Sequence, residues 1–179
     1  MRRLVSAGLK PSLALALLLA GLGGCAGEPP PEVWAASVCS ALTPWRTEIN
    51  ALTKRTQQQQ EAAPNTAQAK ENLTRLFASA ETATESARSK VVAAGAPDVT
   101  DGPAIAASFV TSLAGVRDAY AHAKNGISAI TATENKDFSD QVAAVLDTLN
   151  SEYAKTAPDL GKLQSVELRE AFEEVPECR

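Results

Sequence analysis

The 179-residue chain predicts an all-α fold, a four-helix up-down-up-down bundle with a short fifth helix at its C-terminus. Three observations carry that expectation. Apolar residues recur in steps of three and four along every long segment, which is the spacing of one buried helix face. Thirty-four residues are Ala and only 4% are aromatic, a composition suited to helices packed closely through small side chains. Val, Ile and Thr do not cluster with the period-two alternation of half-buried strands. The bundle is expected over residues 33–179. A pair of helical hairpins that opens or dimerises is the alternative, and short connections favour the closed monomer.

The first helix has Val38, Leu42, Trp45, Ile49 and Leu52 as its stripe. Pro44 lies inside it, lacks an N–H and crowds the preceding turn. A kink or short break is therefore expected there, with Thr43 as a second N-cap. "TQQQQEAAPN" (56–65) carries the helix outward as polar surface, and Pro64 ends it. A second helix starts at Asn65 or Thr66, with Ala69, Leu73, Leu76, Ala80, Ala83, Ala87, Val91 and Ala94 inward and Gly95 as C-cap. Glu71 and Arg75 stand four apart, spaced for a surface ion pair.

"GAPDVTDGP" (95–103) reads as a turn-rich connection, after which Pro103 opens the third helix. Its stripe is Phe109, Leu113, Val116, Tyr120, Ala123, Ile127 and Ile130, the strongest pattern in the chain. "TATENK" (131–136) breaks the period, and Asp137 is placed to cap a fourth helix. Phe138, Val142, Val145, Leu149 and Tyr153 line its inner face down to Pro158. Ser165 caps a shorter helix to Glu174, with Leu168 and Phe172 inward, and Pro176 stops it just before Cys178.

The N-terminus carries an address. Arg2, Arg3 and Lys10 precede an apolar run, Leu13 to Leu22, with no acidic residue among them. About ten apolar residues fall well short of the roughly 20 that a spanning helix needs. The run closes on Leu22-Gly23-Gly24-Cys25 in place of an A-x-A-like site. This order resembles the lipobox of bacterial lipoproteins, an aliphatic residue and two small ones before an obligatory Cys. The resemblance covers about the first 25 residues. It implies a signal peptide (1–24) cut before Cys25, a diacylglyceryl group on the Cys25 sulfur, and anchoring on the extracytoplasmic face of the cell membrane. Gly23 and Gly24 leave the scissile bond open to a peptidase, and the Cys25 thiol is the nucleophile that takes the lipid. Two or more acyl chains anchor stably, at about 0.8 kcal/mol per buried CH₂. Residues 25–32 then form a lipidated tether, with "GEPPPE" (27–32) as its stiff, extended part. The high Ala content resembles that of GC-rich, actinobacterial genomes.

Residues 25–179 hold 14 basic and 21 acidic side chains, a formal charge of −7. Nucleic acid is disfavoured as a partner, and so is adhesion of this surface to anionic lipid. With Cys25 assigned to lipid, Cys39 and Cys178 remain, and an exported chain is expected to pair them. Two cysteines and the lone His122 are too few ligands for a metal site.

His122 is the candidate general base, with Asp118 one turn earlier. Such a pair is also an ordinary feature of a solvated helix face, and that is the reading taken. No nucleophile elbow, zinc-protease, C-x-x-C, P-loop or dinucleotide motif accompanies it. Glu173/Glu174, Asp137/Asp140 and Glu81/Glu85 have no apolar surroundings in sequence that would split their pKa values. Asp98, Asp101 and Glu134 lack the alternation and Gly of a Ca²⁺ loop. Trp34 and Trp45 have the spacing of core residues, with a ligand platform as the alternative. The expectation is a non-enzymatic interaction or structural module of the cell envelope, without cofactor or metal, monomeric and possessing an envelope protein as partner. The alternative is a carrier whose seam parts around a hydrophobic ligand. Small Ala-rich seams favour the first.

Overall fold

Pro31 opens the first helix, with Pro30 as its N-cap, because a proline at the first helical position loses only an N–H that has no partner there. The computed structural model describes residues 27–156 and 165–179. These form α1 (Pro31–Glu61), α2 (Thr66–Ala93), α3 (Gly102–Ala129), α4 (Asn135–Thr156) and α5 (Val166–Glu174), then a 3₁₀ turn over Pro176–Cys178. Among the described residues there is no strand. The four long helices pack as an up-down-up-down bundle. α2 lies against α1 and α3, α4 lies along α3, and α5 with the 3₁₀ turn covers the first half of α1.

The core has two main layers. Trp34, Val38 and Ala41 of α1 meet Val91 of α2, Phe109 and Leu113 of α3, and Leu168 of α5. Trp34 sits edge-on to Phe109 at 5.3 Å and to Phe172 at 6.0 Å, while the two phenyl rings stack at 5.9 Å. Further along, Phe77 and Ala80 of α2 pack with Val116, Tyr120, Ala123 and Ile127 of α3 and Phe138 of α4. Burial of each large apolar side chain contributes about 1.5–3 kcal/mol. Trp34 is fully buried and Trp45 is half-buried against both layers, and each has a satisfied N–H group. Trp34 Nε1 donates to the Gly95 carbonyl at 2.9 Å, and Trp45 Nε1 donates to Thr84 Oγ1 at 3.0 Å.

Three local expectations change. α1 runs through Pro44 without a break. Pro44 and Ser40, whose carbonyl loses its helical partner, are both exposed, so no buried polar group is left unpaired there. Core contacts of Val38 and Ala41 before the proline and Trp45 after it tie both sides into one continuous helix. At the tether, Pro31 and Glu32 are already helical, and the Pro29 carbonyl accepts from the Asp98 N–H at 2.8 Å. α4 begins at Asn135, with Phe138 N–H donating to the Glu134 carbonyl at 2.9 Å. Asp137 therefore lies inside the first turn, where its charge still favours the helix N-terminus, and does not cap it.

Most other boundaries agree with the sequence, while α3 opens at Gly102, one residue before the expected Pro103. Asn65 accepts from Gln68 N–H at 2.9 Å and Ser165 from Leu168 N–H at 3.1 Å, both as N-caps. Gly95 takes a left-handed φ of +73° just past α2. Leu22, Gly23, Gly24 and Cys25 lie outside the described residues, as does Pro158.

Candidate functional site

Cys39 and Cys178 form a disulfide, with their Cα atoms 5.0 Å apart. α5 delivers Cys178 to α1: Leu168 and Ala171 are buried on its inner face, and Thr43 Oγ1 donates to the Glu177 carbonyl at 3.1 Å. The bridge joins the first helix to the chain's last residues without involving α4.

His122 does not pair with Asp118. Its Nδ1 lies 3.1 Å from Glu152 Oε2 across the α3–α4 seam, while Asp118 accepts from Arg117 Nη2 at 2.6 Å. Helical spacing brings His122 and Asp118 to one face, but the nearer cation takes the carboxylate. His122 is 64% exposed, so water competes for both of its nitrogens. Beside this pair runs a groove of about 280 Å³, lined by Ala119, Ala123, Gly126, Val145 and Leu149, with Glu152 at one side. Gly126 permits the close approach: a Cβ there would stand 3.0 Å from a Val145 methyl. Where α4 ends, Ser112 Oγ donates to the Thr156 carbonyl.

The α2–α3 face carries an ionic ladder. Glu85 accepts from Arg88 at 2.6 Å and from Arg117 at 2.9 Å, and Lys124 Nζ donates to Glu81 at 2.6 Å. Arg88 first, then Arg117, pull Glu85 down from the ordinary 4.5 to about 2. Glu85 is thus held ionised by its two cations, which is the opposite of what a general acid needs. Burial, with Tyr153 nearby, pushes the Tyr120 hydroxyl up to about 12, so it stays protonated. Asp140 is paired with Lys136 at 2.6 Å, and Glu173 and Glu174 are exposed.

Among the described residues, no group of three or more His, Cys, Asp or Glu side chains is placed to hold a metal ion. None of the described helices is long and apolar enough to cross a membrane. The cross-helix pairs Glu85–Arg117, Glu81–Lys124 and His122–Glu152 are not readable from sequence, because their partners lie 30 or more residues apart. Comparison with protein families, curated proteins and solved structures finds no match.

Proposed function

We propose that this protein is a lipid-anchored module of the bacterial cell envelope. Acyl chains on Cys25 hold it on the extracytoplasmic side of the membrane, and it acts by binding other envelope components, without catalysis. The observation that carries this reading is the order of charge, short apolar run, two glycines and cysteine over residues 1–25. A disulfide in the following domain suits an oxidising compartment outside the cytoplasm. The polar groups that could have served chemistry are engaged with one another, as the Glu85–Arg88–Arg117 ladder illustrates. Replacement of Cys25 by Ala should abolish labelling by a fatty-acid probe and leave the chain unprocessed or released from membranes. Undiminished labelling of that variant would overturn the anchor.

The groove between α3 and α4 favours a second reading, a carrier of a hydrophobic ligand. Its size of about 280 Å³ is at the small end for a ligand site. Native mass spectrometry of the detergent-released protein separates the two: a bound lipid supports the carrier, and a bare mass supports the interaction module.

A further inference from the structure

We propose that the bundle stands end-on to the membrane, with the first turn of α1 and the 94–102 connection facing the bilayer. The proposal rests on the anchor reading of Cys25 and adds a distance and a direction to it.

The first argument is reach. Four residue steps separate Cys25 from Pro29, and an extended chain spans at most about 3.6 Å per residue. Pro29 therefore stays within about 14 Å of the anchored residue. Pro29 is also a fixed point on the bundle. Its carbonyl accepts from Asp98 N–H at 2.8 Å, and five residues on, Trp34 is fully buried with its Nε1 on the Gly95 carbonyl at 2.9 Å. Two hydrogen bonds to one connection hold the tether's exit against the α2–α3 corner. Whatever anchors Cys25 thus anchors that corner.

The second argument is charge. Exposed carboxylates occur along all four long helices: Glu48 and Glu61 on α1, Glu71 on α2, Asp118 on α3 and Asp147 on α4. A bundle lying flat would bring some of them onto the bilayer, beside exposed cations such as Arg46, Lys54 and Lys136; acidic residues outnumber basic ones 21 to 14 over residues 25–179. Screening extends only about 8 Å at physiological salt, so an end-on bundle leaves nearly all of them out of range of anionic headgroups. Glu28, Glu32, Asp98 and Asp101 remain near the surface and oppose insertion. Val33 in the first turn of α1 and Val92 in the last turn of α2 are more than half exposed at this same end. The tether, and not adhesion of the domain, keeps the end close.

The two orientations differ in thickness. α1 has 31 residues at about 1.5 Å each, so an end-on layer is about 45–55 Å deep. A flat one is two helix layers, about 20–25 Å.

Neutron reflectometry on the full processed protein, in a supported bilayer of phosphatidylethanolamine and phosphatidylglycerol, reads that depth. Mass spectrometry of the same sample first establishes whether Cys25 is acylated. An unmodified Cys25 would overturn the anchor and, with it, the orientation. With acylation present, a layer of about 45–55 Å supports the proposal, and one of about 20–25 Å overturns the orientation while leaving the anchor intact. Eight Gly/Ser residues inserted between Ala26 and Gly27 should widen the water gap by up to about 16 Å. An unchanged gap would mean that another surface sets the distance, and would overturn the tether's role.

Discussion

Cys39 in α1 and Cys178 in the C-terminal turn lie 139 residues apart in sequence and 5.0 Å apart between Cα atoms. That distance is within the span a disulfide requires. Closing so long a loop removes unfolded-state entropy worth roughly 5 kcal/mol as an upper figure. The bridge matters locally as well, since α5 has only nine residues and so short a helix is marginal on its own. Reduction should lower the melting temperature and expose residues 166–179 to protease before the rest of the bundle. Thermal unfolding with and without reductant, read beside non-reducing peptide maps, checks both. Free thiols at both positions in protein from its native host would end this prediction.

How much could be read in advance depended on where each residue's partners lie. Every member of the Phe109–Ile130 stripe is buried, because α3 is covered by neighbours on several sides and its apolar face is used in full. The equally regular stripe on α4 is different: Phe138 is buried, Val142, Val145 and Leu149 are half-covered, and Tyr153 is 39% exposed. Periodicity identifies the apolar side of a helix, but not how many neighbours close over it. The break expected at Pro44 is absent for a related reason, since propensity is a local quantity and the packing of Val38, Ala41 and Trp45 overrides it. The caps at Asn65 and Ser165 were legible because their partners are three residues away. His122 found Glu152 from another helix, and no local spacing encodes such a pair.

Glu85 gives a pH dependence with a definite sign. Its folded pKa is about 2, below the ordinary 4.5, so its pairing with Arg88 and Arg117 favours the folded state above pH 4.5. That contribution fades as pH falls from about 4.5 through 2. The stability difference between the native chain and Glu85→Gln should be present at pH 7 and vanish near pH 2. Because Glu85 is 38% exposed, the difference will be small and will shrink in high salt. Denaturant titrations across pH measure it, and a difference that stays constant down to pH 2 would contradict the assignment.

Gly102 opens α3 where the 94–102 connection folds back on itself. A Cβ at this position would overlap the Pro97 carbonyl oxygen, a backbone atom that cannot rotate away. Gly102→Ala should therefore cost about 1–3 kcal/mol, as overpacking does. Gly27, where a Cβ would meet nothing within 4 Å, is the control, and its replacement by Ala should change stability by less than about 0.5 kcal/mol. Urea midpoints of the two variants decide the matter, and equal midpoints would refute it.

α4 is the helix most free to separate. Phe138 is its one buried residue among the 22 from Asn135 to Thr156, and its main packing is against α3 alone. α2 and α3, by contrast, bury seven and ten residues. Local opening free energy follows the apolar contact that must be broken, so α4 should open before the α1–α3 core unfolds. Hydrogen exchange read by mass spectrometry should show weaker protection over residues 135–156 than over 102–129. Phe138→Ala should deepen that contrast, because truncation of a buried Phe costs about 3–5 kcal/mol and here most of the loss falls on the α3–α4 contact. The core amides should keep their protection in the variant. Uniform protection across both helices, or a uniform loss on truncation, would show that the bundle opens only as one unit. The measurement also bears on the groove beside His122 and Glu152. A hydrophobic ligand larger than that groove needs α4 to move away from α3, and only an opening cheaper than global unfolding allows entry without loss of the fold.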